Sequence, residues 1–120
     1  ELTASPESFE QKSKDICSNE SAVEIILAPT VKSNGCIGHP DDGLEFQKQV
    51  NGLLHSIAAN YRVPKVHLLP CASNAACIYF GRAIEQYHPE VIVYDFVNKD
   101  SIVPRILISQ TASGPALTCP

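Results

Sequence analysis

Residues 65–97 read KVHLLPCASNAACIYFGRAIEQYHPEVIVYDFV, and their order decides the fold. Lys65 to Leu69 is short and mostly apolar, and Pro70 stops it, which marks a strand. Ser73 is placed to cap a helix running from Asn74 to about Gln86. Ala75, Ala76, Cys77, Ile78, Tyr79, Phe80 and Ala83 make that helix apolar nearly all round, which predicts deep burial. Gly81 lies inside it at a cost of ~1 kcal/mol relative to alanine, which implies close packing against another backbone. Pro89 closes the connection, and Glu90 to Val97 is the strongest strand in the chain. Strand, helix and strand in this order imply parallel pairing through a right-handed crossover.

Working outward, Ala22 to Ala28 (AVEIILA) is a β-branched run ended by Pro29, again a strand. A long irregular connection follows from Thr30 to Gly43, and connections of that length are often functional. A helix is predicted from about Asp42 to Tyr61, because Phe46, Val50, Leu53, Leu54, Ile57 and Tyr61 recur at steps of three and four. Pro40, Asp41 and Asp42 supply its start signals, and Val63–Pro64 ends it. Downstream, Ile102 to Ser109 reads as a further strand, at an edge because Pro104 cannot donate to a ladder. Residues 1–20 form a polar leader or a short capping helix, 21–110 the domain, and 111–120 a tail expected to fray. The order β-α-β-α-β-β predicts an α/β fold: a small Rossmann-like three-layer sandwich, its sheet mostly parallel, with helices on both faces.

The chain has 120 residues, the size of one domain, and a composition of 44% hydrophobic and 18% charged residues that suits a globular core rather than disorder. Its net charge of −4 argues against non-specific binding along a nucleic-acid backbone. No apolar run is long enough to span a membrane, and no signal-peptide pattern is present. The chain starts at Glu1 and contains no methionine, so a fragment, a processed chain or one domain of a longer protein is expected. Cys17, Cys36, Cys71, Cys77 and Cys119 show neither CxxC nor a zinc pairing, so they read as reduced thiols in a cytoplasmic protein. Cys71 and Cys77 lie in apolar stretches and read as small hydrophobes.

Nucleotide-binding glycine motifs are missing; SNGCIG at 33–38 lacks the immediate strand-to-helix setting that would give it meaning. His39, Asp41 and Asp42 could supply three metal ligands, but capping by Asp41 or Asp42 is the simpler reading. His55 follows the helix stripe as a partly buried core residue, and His67 stands apart in a strand. No Ser/His/Asp or Cys/His pairing can be read from order alone. Neither catalytic residues nor a metal or cofactor are assigned. Sheets of this kind bind ligands beyond the carboxyl ends of their strands, here Pro29–Thr30, Pro70–Asn74 and Tyr94–Asp95. Pro70-Cys71-Ala72-Ser73-Asn74 turns from a strand straight into a helix whose first free amides suit an anion such as phosphate. An ordinary helix cap is the competing explanation.

The run from Lys65 to Phe96 resembles the C-terminal half of the SAVED domain. The resemblance is carried by Leu69-Pro70, the small-residue stretch Ala72 to Ala76, Gly81-Arg82 and Tyr94-Asp95. It extends loosely over 22–110 and is specific over 65–96. SAVED domains are similar to two fused CARF-like Rossmann units. The resemblance therefore implies a CARF-like sensor that binds a cyclic di- or oligonucleotide second messenger in bacterial anti-phage defence, of the CBASS or type III CRISPR kind, and controls an effector domain or chain. One such unit fits in 120 residues, so a second CARF-like unit is expected, either another copy or a sister segment. The implied ligand-binding residues are Pro29, Thr30, Lys32, His39, Pro70, Ala72, Ser73, Asn74, Tyr94 and Asp95. Lys32, His39 and Lys99 are the candidate cations, while Arg82 and Arg105 are expected in structural ion pairs. Tyr94 or Tyr79 could stack on a base, with Tyr79 the better core residue. Two alternatives stand beside the sensor. One is a ring nuclease or small α/β hydrolase using Thr30 or Ser73; the other is a pure assembly domain.

Overall fold

The computed structural model describes residues 11–12, 14–18, 38–61, 65–70, 72–98 and 101–120. Residues 14–18 are helical, within the segment expected to be a leader or capping helix. The strand expected at Ala22–Ala28 and most of the connection after it lie outside the described residues.

Helix α1 spans Pro40–Ser56 and continues as a π-helical turn over Ile57–Tyr61. His39, not Asp41 or Asp42, is its cap: the imidazole Nδ1 accepts the Asp41 amide at 3.1 Å. Pro40 takes the first turn, where a missing N–H is no loss, and the two aspartates complement the positive end of the helix dipole. The spacing of three and four turns Gly43, Val50 and Leu54 inward. His55 falls off that stripe and is exposed, contrary to its reading as a core residue.

Strand β1 is Lys65–Leu68, helix α2 is Asn74–Ala83 and strand β2 is Glu90–Asn98. β1 and β2 pair in parallel, from Lys65↔Glu90 to Leu68↔Val93, with α2 as their crossover. Ser73 caps α2, its Oγ accepting the Ala76 amide at 3.2 Å. This helix is not deeply buried. Only Ala76 and Ala83 are enclosed, while Cys77 and Ile78 face solvent, Ile78 at 63% exposure. Gly81 is also exposed, and a Cβ there would meet nothing within 4 Å. The close approach occurs instead at Gly43 in α1, where a Cβ would overlap the Tyr79 ring. Composition alone misled here, because small residues allow close packing without specifying which helix face is covered.

Strand β3 (Ser101–Thr111) and strand β4 (Gly114–Thr118) complete a sheet of order β1-β2-β3-β4. β2 to β3 and β3 to β4 are both antiparallel, so among the described residues only one pair is parallel. The expected mostly parallel sandwich is thus a mixed sheet. The reason is connection length: two residues, 99 and 100, separate β2 from β3, and a parallel crossover needs a dozen or more. The tail expected to fray is β4, folded back through a turn at Ala112–Ser113. Thr111 Oγ1 donates to the Gly114 carbonyl at 2.6 Å, and Gly114 takes φ +113°.

β3 is not an edge strand, yet Pro104 is accommodated for a local reason. β4 pairs only with Leu107 to Thr111, so β3 has no described partner on that side at Pro104. The register also shifts between Val93 and Tyr94, leaving Arg105 as the extra residue between Pro104 and Ile106. In β4, Pro115 pairs with Gln110, between Gly114 and Ala116.

Both helices pack on one face of the sheet. Val50, Leu54, Ala83, Ile84, Val91 and Ile108 form the buried cluster, with Phe46, Val66, Leu68, Phe80 and Val93 packed around it. Period-two alternation puts Val66, Leu68, Val91 and Val93 on that face and His67, Ile92 and Tyr94 on the other. Helices on both faces were expected; among the described elements, α1 and α2 share this one.

Candidate functional site

α2 returns from the end of β1 to the start of β2, so it runs opposite to both strands. Its N-terminus therefore opens at their carboxyl edge. α1 follows the same direction: Gly43 meets Tyr79, and further along Asn51 Nδ2 donates to the Ala83 carbonyl at 3.0 Å. The two helix N-termini consequently face the same edge of the sheet. At α1, however, Pro40 has no N–H and His39 takes the amides of Asp41, Asp42 and Gly43. The free first-turn amides therefore belong to α2, and α1 adds only the positive end of its dipole.

Pro70, Ala72, Ser73 and Asn74 lie together between β1 and α2. Pro70 and Ser73 are half-buried, whereas Ala72 and Asn74 are exposed. The Ser73 hydroxyl is engaged as the helix cap, which leaves Asn74 as the free polar side chain at this terminus. His39 sits at the neighbouring terminus, 3.6 Å from the Asp41 carboxylate and already accepting the Asp41 amide. Its Nδ1 is therefore occupied in capping rather than held out toward solvent. Pro29, Thr30 and Lys32 lie outside the described residues, as does Lys99.

Tyr94 and Asp95 do not end their strand, since β2 continues to Asn98. They do lie just past the end of β1, because Leu68 pairs with Val93. Alternation then separates them. Tyr94 is on the face away from α1 and α2, where its hydroxyl meets His67 Nδ1 at 2.8 Å and the two rings tilt at 5.7 Å between centroids. Asp95 is on the helix face, its carboxylate 3.5 Å from Arg105 Nε. Both partners are more than half exposed, so this ion pair contributes little stability. It does place one cation beside the edge. Arg105 thus makes the ion pair expected of it, whereas Arg82 lies over the Tyr79 ring at 5.7 Å. Tyr79 is accordingly half-buried between Gly43 and Arg82.

In the sequence His67 stands apart, and the fold gives it Tyr94 as a partner. The signal that could have found it is the parallel register, which brings residue 67 alongside Tyr94 on one face. Cys77 is free and exposed, and desolvation of its thiol pushes its pKa up, away from an activated thiolate. Among the described residues, no three His, Cys, Asp or Glu side chains gather as a metal site. No described helix is long and apolar enough to cross a membrane.

This edge offers the first-turn amides of α2, the positive dipole ends of two helices, one exposed amide side chain, a tyrosine held by a histidine, and an arginine balanced by an aspartate. Such an arrangement can bind an anionic, hydrogen-bonding ligand without a strongly basic surface. A family model matches residues 1–106, that of SAVED, the "SMODS-associated and fused to various effectors sensor domain". No curated protein and no solved structure matches the chain.

Proposed function

The chain belongs to the SAVED family of sensor domains, and on that premise we propose that it binds a cyclic di- or oligonucleotide at the carboxyl edge of β1 and β2 and thereby controls an effector. SAVED domains are sensors fused to various effectors, so the effector is another domain or chain joined to this one. The observation that carries the ligand reading is the pair of helix N-termini opening on one edge. Cyclic nucleotides present several phosphates, and the free first-turn amides of α2, with the positive dipole ends of both helices, can meet one without bringing net positive charge. Pro70, Ala72, Ser73 and Asn74 form one wall of this site and His39 borders it. Tyr94 offers a flat ring to a base, with His67 fixing its hydroxyl. Asp95 acts by orienting Arg105. Pro29, Thr30 and Lys32 are proposed as further contacts of the ligand.

A second CARF-like unit, either another copy or a sister segment, would supply the opposing wall. The setting is cytoplasmic bacterial anti-phage defence of the CBASS or type III CRISPR kind. For the hydrolase alternative, Ser73 Oγ accepts the Ala76 amide and meets no base among the described residues, while Thr30 lies outside them.

Thermal shift against a panel of cyclic di-, tri- and tetranucleotides tests the reading. A ligand at 100 times its Kd should stabilise the fold by about 2.7 kcal/mol. Asn74→Ala should weaken binding of the active compound by about 1.5–3 kcal/mol if the amide meets a phosphate. A panel without any shift rejects the ligand class; unchanged affinity in Asn74→Ala moves the site elsewhere.

A further inference from the structure

At the opposite, amino edge of the sheet, the chain passes from α2 to β2 through a tight turn, Glu85 to His88. His88 is buried, at 4% exposure, and it closes the turn twice. Its amide donates to the Glu85 carbonyl at 3.2 Å, and its ring Nδ1 accepts the Glu85 amide at 3.0 Å. Between them Tyr87 is held at φ +73°, a left-handed conformation that a bulky side chain rarely adopts, with its ring in solvent. Gln86 Nε2 ties the same turn to the β3–β4 hairpin through the Ala112 carbonyl at 3.3 Å. A backbone this unfavourable persists only where its surroundings hold it.

We propose that this turn is an acid-labile latch operated by the His88 ring. An imidazole that accepts a hydrogen bond at Nδ1 must carry its proton at Nε2. A second proton has only Nδ1 to bind, and there it would face the Glu85 N–H. Charging the ring therefore removes one of the two bonds that close the turn, weakening the hold on Tyr87 in the left-handed region and on the tie to the hairpin.

The surrounding charges set where this happens. Burial lowers the His88 pKa, Glu85 in the same turn raises it, and His55 at the end of α1, edge-on at 6.3 Å between ring centroids, lowers it. Glu90 is the next charged group along the chain, and alternation puts it on the opposite face from Val91. Protons therefore bind more readily once the turn opens. The closed latch is fully stable above the ordinary histidine value of 6.5 and weakens as pH falls from there toward the lowered value of the folded ring.

NMR of the full 120-residue chain from pH 7.5 to 5 reads both halves of the proposal. Ring nitrogen shifts should show the Nε2–H tautomer of His88 at pH 7.5. Hydrogen-exchange protection of the Glu85 amide, corrected for intrinsic exchange, should fall roughly five- to tenfold as the ring charges. His88→Asn keeps a side-chain acceptor but cannot titrate, and its Glu85 protection should stay flat with pH. Should that variant fail to fold, His55→Gln removes a like charge at an exposed position. The His88 titration and the loss of Glu85 protection should then move together to higher pH. An Nδ1–H tautomer at pH 7.5, or protection that ignores the His88 titration, overturns the proposal.

Discussion

On one side of β2 the chain reaches β1 through a helix-bearing crossover from Leu69 to Pro89; on the other it reaches β3 through two residues, 99 and 100. The crossover brings α2 back over the sheet, and α1 packs beside it. Val91 is then completely enclosed and Leu54 nearly so. The meander carries no helix of its own, and on the same face Ile106 and Leu117 stay exposed, Leu117 at 70%. The difference teaches that connection length distributes the core. A long connection supplies its own cover, whereas a two-residue connection makes a strand pair that depends on cover from elsewhere.

Three substitutions probe that contrast. Leu54→Ala empties a nearly enclosed site in the covered half and should cost about 2–5 kcal/mol in denaturant unfolding. A cost under 1 kcal/mol would mean that the covered half does not hold the core. Gly43→Ala tests the contact between the helices themselves. Its Cβ forces the Tyr79 ring to move, and overpacking of this kind costs roughly 1–3 kcal/mol. If Tyr79 swings into solvent freely, the melting temperature will stay at its wild-type value and the helices are less tightly joined than described. Leu117→Lys acts on the uncovered half and should change stability by no more than about 0.5 kcal/mol. A loss of several kcal/mol there would show that Leu117 is covered in solution, and concentration-dependent melting would point to another chain.

How much of this was legible followed from the range of the forces involved. α1 was readable because Phe46, Val50, Leu54 and Ile57 follow a local period, and Pro40 and Ser73 mark helix starts by chemistry that acts within one turn. The directions of β3 and β4 were obscured because Pro104 breaks one run, and GPALT has little strand propensity until it pairs with Leu107 to Thr111. Two residues between strong strands were signal enough for an antiparallel turn, but the alternation upstream favoured a parallel reading. At the site, Ser73 was recognisable as a cap. The split of Tyr94 from Asp95 follows simple alternation, yet their partners do not: His67 and Arg105 come from neighbouring strands and depend on register. The burial of His88 was invisible, since nothing within one turn of sequence distinguishes it from exposed His55.

The proline in β4 has a consequence for growth of the sheet. An antiparallel strand gives alternate amides to its neighbour, and Pro115, having none to give, can sit only where the amide would point away from β3. The outer rim of β4 therefore lacks a donor where an incoming strand would need one. Stacking copies edge to edge into an extending ribbon is disfavoured at this rim. A companion unit of the kind proposed would be steered instead toward the exposed faces of the sheet and helices, where contacts are made by side chains and an assembly could close at a defined size.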